Sequence, residues 1–179
     1  MTSTPVSDPS AATSIADSLR QLTLRWLPRA DEVQSFFDHW AAAWDAHSLD
    51  ELDALITDDI TWEDPAMHGA IVHGRAEFRA FTETFFRAFP DVAFASIGEP
   101  YVDLDGSSLG VRWRMTGTFT GPLEIWSNSF ADEPPTIAPN GKRFEIDGID
   151  LYKLRDGLVS DYTILYDLTA LSQQLGLLS

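Results

Sequence analysis

Hydrophobic residues in the first half of the chain recur at helical spacing, and in the second half they alternate as strands do. Ile15, Leu19, Leu22 and Trp26 lie on one stripe of a short amphipathic helix that Pro28 ends. Val33, Phe36, Phe37, Trp40 and Trp44 mark the buried side of a longer helix that Asp31 can cap. Ser48-Leu49-Asp50-Glu51 is a capping box, predicting a helix buried through Leu52, Leu55 and Ile56. Ile60 and Trp62 then alternate with Thr61 and Glu63 as a short strand. Pro65 stops it, because proline cannot donate a ladder hydrogen bond. Gly74 opens a third helix with Phe78, Phe81, Phe85 and Phe89 inward, and Pro90 closes it.

Strands are predicted over Val92–Asp105, Leu109–Thr120, Lys142–Leu154 and Leu158–Asp167, with turn signals at Asp105-Gly106 and Asp156-Gly157. Residues 121–141 carry Pro122, Pro134, Pro135, Pro139 and Gly141 and read as a long loop, a candidate lid. A last helical turn follows Asp167. Helices first and antiparallel strands after predict an α+β fold, a curved, mostly antiparallel sheet folded around three N-terminal helices. Residues 1–30 form an expected extension to a single domain over 31–179.

Composition changes this picture in a few places. A net charge of −16 repels phosphate backbones and anionic membranes, which disfavours nucleic acid as a partner. The absence of Cys removes disulfides, thiolate metal sites and a cysteine nucleophile. The N-terminus lacks the basic start and apolar run of a secretory signal, and no stretch matches a membrane span, so a cytoplasmic location is expected.

Two carboxylates stand out by phase. Asp64 shares the phase of Ile60 and Trp62, and Asp150 is the one charge among Phe144, Ile146, Gly148, Tyr152 and Leu154. A carboxylate on an apolar face costs energy unless it is paired or functional, and its pKa rises. The plain alternatives are a turn cap for Asp64 and an acid neutralised by Arg112 or Arg114 for Asp150. Those arginines share one strand face with Thr116 and Thr118, while Val111, Trp113 and Met115 share the other; the pattern leaves open which face looks inward. If the arginines do, they would anchor a carboxylate or an enolate oxygen. His68 and His73 flank Gly69 beside Asp64, but exposed loop histidines are ordinary, and no metal site is expected. No phosphate loop, nucleophile elbow or zinc spacing occurs.

Val111-Arg112-Trp113-Arg114-Met115-Thr116-Gly117-Thr118-Phe119-Thr120-Gly121, Pro139 to Phe144, Gly148 to Tyr152 and the ending Asp167 to Gly176 resemble the SnoaL-like polyketide cyclase family of the nuclear transport factor 2-like superfamily. The resemblance covers about residues 31–179 and implies a cone-shaped α+β barrel. Trp40 to Pro65 is also similar to ketosteroid isomerases. That likeness puts Asp64 on the proton-abstracting aspartate, Asp150 on the oxyanion-stabilising acid, and Trp40 where an oxyanion tyrosine stands. In those isomerases an apolar site keeps the oxyanion-stabilising acid neutral, so that it can donate a hydrogen bond. Two departures matter. Asp161-Tyr162-Thr163-Ile164 stands where SnoaL-like chains usually read Glu-His-Trp-Asp, so Ile164 replaces an acid/base aspartate. The 122–138 insertion would reshape the pocket mouth.

The resemblance and the two acids together imply a small-molecule enzyme of polyketide cyclase/isomerase type that needs no cofactor. Asp64 and Asp150 are its catalytic candidates, and Trp40, Trp44, His68, Phe85, Arg112, Arg114 and Tyr152 its substrate-binding candidates. The partner is a hydrophobic small molecule. Strands apolar on both faces, such as Ile149 and Leu151 opposite Ile146 and Tyr152, predict a homodimer through the outer sheet face. The alternatives are a non-catalytic ligand-binding cone and a dimeric interaction module.

Overall fold

The aromatic stripe from Val33 to Trp44 is helical, within a helix α1 over residues 31–45. A computed structural model describes residues 31–103, 106–126 and 134–178; the amphipathic stripe expected at 15–26 lies outside the described residues. Val33, Phe36, Trp40, Ala43 and Trp44 are buried along one side of α1, as their spacing requires. Helix α2 (Leu49–Ala54) begins where Ser48 Oγ accepts from the Glu51 amide at 3.3 Å, one half of the capping box. It is shorter than expected, because Ile56 already belongs to strand β1 (Ile56–Glu63). Pro65 ends β1 and opens a short 3-10 turn (Pro65–Met67).

After β2 (Ile71–His73), helix α3 (Gly74–Ala88) buries Phe78, Phe81, Thr82, Thr84 and Ala88 and leaves Phe85 half-buried. Arg79 ties α3 to Asp50 and Asp53 of α2, and Arg75 ties it to Asp58 of β1. The single strand expected over 92–105 is two strands, β3 (Ala93–Ser96) and β4 (Tyr101–Val102). Gly98 lies between them at φ +76°, a turn conformation that a strand cannot continue through. Long β5 (Ser108–Thr118) follows. The expected loop at 121–141 contains a small two-stranded sheet, β6 (Leu123–Glu124) against β7 (Thr136–Ile137). The chain closes with β8 (Arg143–Arg155), β9 (Leu158–Tyr166) and α4 (Leu168–Gln174), the last capped by Asp167.

The main sheet runs β2-β1-β9-β8-β5-β3, with β4 also paired to β5. All pairings are antiparallel except β1 with β9, which is parallel. The α+β class with a curved, mostly antiparallel sheet is as the sequence predicts. The sheet is open rather than a closed barrel, with β2 and β3 at its edges. Its concave face and the helices share one aromatic core, from Trp40 and Trp44 through Trp62 and Phe78 to Trp113 and Tyr162.

Candidate active site

Period two decides which side chains of β8 enter the core. Phe144, Ile146, Asp150 and Tyr152 are buried, and Glu145, Asp147, Leu151 and Lys153 are exposed. Asp150, 7% exposed, is thus held inside with no cation beside it. Its Oδ1 accepts from Trp113 Nε1 at 2.7 Å. Its Oδ2 accepts from the hydroxyls of Tyr152 at 2.5 Å and Tyr162 at 3.1 Å. Tyr152 in turn accepts from Trp40 Nε1 at 3.0 Å.

The cross-strand register explains who these partners are. Asp150 faces Val111 on β5 and Ile164 on β9, so Trp113 and Tyr162 are its diagonal neighbours on the same face. Trp113 reaches the carboxylate because its own partner across the ladder is Gly148. A methyl group on Gly148 would stand 2.3 Å from the indole, so only glycine leaves room for the ring there. The rings of Trp62, Tyr162 and Tyr152 stack across three strands at 5.2 and 4.8 Å, and Trp40 meets both tyrosines edge-on.

Asp64 belongs to the turn after β1. Its Oδ1 accepts from the Ala66 amide at 2.7 Å and from the Tyr166 hydroxyl at 2.8 Å. The turn-cap reading therefore holds. Both bonds fall on Oδ1, which leaves Oδ2 as the oxygen not used for anchoring. The residue is only partly covered, but what exposure it has opens onto an internal cavity of about 420 Å³. Asp150 lines the same cavity.

Parallel pairing sets Glu63, the last residue of β1, beside Thr163 of β9, and Asp64 follows directly. Ile164 is the ladder partner of Asp150. Ile164 thus presents an apolar side chain to the cavity beside Asp150. Burial raises both carboxyls above the ordinary range of about 3.8, Asp64 to about 6 and Asp150 to about 7. The hydrogen bonds oppose the rise in each case, and the charge of Asp64 adds to it at Asp150. Burial and the neighbouring carboxylates push Tyr152, Tyr162 and Tyr166 far above the usual phenol range, so all three keep their protons.

Trp40, Trp44, His68, Phe85 and Tyr152 line the cavity alongside the two acids. His68 is exposed at the mouth, with φ +51° and its Nδ1 3.3 Å from the Trp126 carbonyl oxygen. Leu123 and Glu124 of β6, the adjoining Ile125 and Ile137 of β7 also line the cavity, and Glu124 is tethered to Arg87 at 2.9 Å. The indole N–H groups of Trp44 and Trp62 have no oxygen partner, but each ring meets aromatic neighbours edge-on, Trp62 against Phe81 at 4.8 Å.

Arg112 and Arg114 require correction as substrate anchors. Both are exposed on the convex face, and Arg114 is engaged there with Asp147 at 2.7 Å and Glu145 at 3.5 Å. Burying the Val111, Trp113 and Met115 side of β5 leaves them no route inward. Among the described residues the cavity wall contains no Arg or Lys, so neither carboxylate has an ion-pair partner there. Three polar contributors escaped the sequence reading: Trp113, Tyr162 and Tyr166. The alternation of Tyr162, Ile164 and Tyr166 was the available signal. No group of three or more His, Asp or Glu among the described residues is placed to hold a metal ion, and no described helix is long and apolar enough to cross a membrane.

The fold has counterparts. A family model described as a SnoaL-like domain matches residues 36–162. No curated protein matches the chain. TsrD from Streptomyces laurentii is 24% identical, with a TM-score of 0.65 over 83% of this chain and 97% of its own. A candidate SnoaL-like polyketide cyclase from Jannaschia sp. CCS1 is 19% identical, with a TM-score of 0.67 over 83% and 94%. IdmH, a candidate polyketide cyclase from Streptomyces antibioticus, is 19% identical, with a TM-score of 0.60 over 80% and 98%. At these identities the structural likeness establishes the fold.

Proposed function

The chain belongs to the SnoaL-like domain family, and from that premise we propose a cofactor-independent enzyme of polyketide cyclase/isomerase type. Its reaction is proton transfer at a carbon next to a carbonyl, inside an apolar pocket. One observation carries the reading: two acids, both raised by burial, share one aromatic cavity. Asp64 takes the proton through its unanchored Oδ2, whereas both oxygens of Asp150 are engaged. The neutral Asp150 cluster then stabilises the enolate with hydrogen bonds that strengthen as charge develops. Trp40, Trp44, Phe85 and Tyr152 wall off water, and ring closure or double-bond migration completes the turnover. His68 meets the substrate at the mouth.

The test is hydrogen exchange. An apolar methyl ketone such as 2-acetylnaphthalene, incubated with the protein in heavy water, gains deuterium at the α-carbon, read by mass spectrometry. Asp64→Asn removes the catalysed exchange. Exchange at the same rate with and without Asp64 rejects the assignment. A second reading, a cone that binds without reacting, is favoured by Ile164 at the usual aspartate position; it predicts ketone binding with no exchange.

We also propose a homodimer through the convex sheet face. Leu151 and Leu165, 41% and 51% exposed, stand there around Ile149. A monomer in sedimentation at micromolar concentration rejects it.

A further inference from the structure

Asp64 has one oxygen tied down and one left for chemistry, and two donors make that difference. Its Oδ1 accepts from the Ala66 amide at 2.7 Å and from the Tyr166 hydroxyl at 2.8 Å. The amide lies two residues on in the same turn, so it ties the carboxyl only to its own backbone. Tyr166 comes from β9, 102 residues along the chain, and lines the cavity. It is the contact that ties the carboxyl to the sheet. The Ala66 amide also faces the Tyr166 oxygen, so amide, phenol and Oδ1 form one closed set.

Gly148 explains how the phenol reaches this place. It is the ladder partner of Trp113 on β5 and of Tyr166 on β9, so the three stand in one row across the sheet. A Cβ on Gly148 would stand 2.3 Å from the Trp113 indole. The indole fills that gap and meets the Tyr166 ring at 6.2 Å. Packed together, the two rings have separate duties: Trp113 Nε1 donates to Asp150, and the Tyr166 hydroxyl donates to Asp64. One missing side chain thus serves both acids.

We propose that Tyr166 is the positioning residue of the base: supported by Trp113 beside Gly148, its hydroxyl holds Asp64 Oδ1 so that Oδ2 alone meets the α-hydrogen of the substrate. The inference rests on the proton-transfer reading of Asp64. In that step the carbon–hydrogen bond breaks, the proton passes to Oδ2, and the electron pair moves onto the carbonyl oxygen. Oδ1 keeps both donors before and after, so nothing at the base has to reorganise. Tyr166 keeps its own proton throughout, because burial and the Asp64 charge push it far above the usual phenol range.

The same bond also tunes the base. Burial raises Asp64 to about 6, and the Ala66 and Tyr166 donors oppose that rise by favouring the ionised form. The titratable groups that share the cavity with Asp64 are Tyr162 and Tyr166 on β9, Asp150 and Tyr152 on β8, His68 in its own turn, Asp45 of α1 and Glu124 of β6. Helices α3 and α4 and strand β5 present none to it.

Two readouts separate this role from a merely structural one. The first is the titration of the Asp64 carboxyl in the ligand-free protein, followed by NMR with carbon-13-labelled aspartate and assigned through Asp64→Asn. Tyr166→Phe keeps the ring and removes the donor, and the midpoint rises by about one unit. The rise persists in an Asp150→Asn background, where the two acids no longer titrate as a pair. The second readout is deuterium exchange into 2-acetylnaphthalene. In Tyr166→Phe the acid limb of the rate profile moves up with the midpoint, and ketone affinity stays close to wild type. A more basic carboxylate held in place would exchange faster, so a plateau rate lowered by about 10-fold reports the lost positioning. If Tyr166→Phe fails to fold, Tyr166→3-fluorotyrosine, a stronger donor, moves the midpoint down. An unmoved midpoint in either variant, or a plateau rate in Tyr166→Phe at or above wild type, overturns the proposal. So does a loss of rate at every pH with an unmoved profile, the mark of a structural role. A midpoint that moves as expected in a protein whose wild type catalyses no exchange leaves Tyr166 holding the carboxyl and removes the proton-transfer reading.

Discussion

Asp147 and Asp150 sit three residues apart on β8 and have opposite chemistry. Asp147 projects from the convex face into solvent, where Arg114 grips both its oxygens at 2.7 and 3.1 Å. That guanidinium holds its carboxyl below the usual carboxylate range. Asp150 projects from the concave face into an aromatic core, where only neutral N–H and O–H groups reach it, and burial lifts it to about 7. The strand, the residue type and the backbone geometry are shared. Solvent and the charge of the partners make the difference, and a one-residue change of phase exchanges one environment for the other.

The largest effect that could break this contrast lies on the concave side. Asp64→Asn removes the base, and the exchange rate falls by ~10²–10⁴-fold; little loss would mean that the concave acids are not the working ones. Asp150→Asn lowers the rate less, by about 10–100-fold, since the amide still donates.

The same variant sharpens the contrast through stability. Asp150 has a folded pKa raised above its unfolded value, so the folded state binds its proton more tightly. Its contribution is fully present below about pH 4, is lost as pH rises toward about 7, and levels off above. Thermal melts across that range show a downward slope that Asp150→Asn reduces, with a higher melting temperature for the variant at neutral pH. Asp147 has the opposite sign: its contribution holds above the unfolded pKa and is lost only in acid.

Gly148→Ala forces the Trp113 ring off Asp150 Oδ1 or the strands apart, and costs about 1–3 kcal/mol in denaturant unfolding. Arg114→Ala is the smallest change. Exposed ion pairs contribute little, so exchange and melting temperature stay close to wild type. A loss of ketone binding in that variant would restore the arginine to the site.

Asp150 was legible because Phe144, Ile146 and Tyr152 of β8 share its phase and mark the buried face. Asp64 was legible because Pro65 marks where the strand must stop. The arginines were misplaced for the converse reason. Two alternating sets on β5 each made sense, and the choice depends on Asp147 and Glu145 lying beside Arg114 across the ladder. Register between strands is a property of the assembled sheet, so Arg114's true partner was invisible. The same holds for Trp113, whose reach depends on Gly148 standing opposite. The break at Gly98 and the small β6–β7 sheet were missed because short pairings leave only two residues of pattern each.

The parallel ladder between β1 and β9 also has a bearing on how the molecule assembles. Thr61 meets Asp161, and Asp64 meets Tyr166, across a hundred residues or more of chain. Strands β5, β8 and β9 are contiguous in the sheet and carry Asp150 with all three of its donors, Trp113, Tyr152 and Tyr162. Asp64 joins them only when the first strand docks beside the last, a closure whose entropic cost is about 4 kcal/mol for a loop of that length. The pocket is therefore completed by a strongly non-local step in folding. A species with β1 undocked would have the acid cluster built but no base, which makes reactivity a reporter for completion of the native topology.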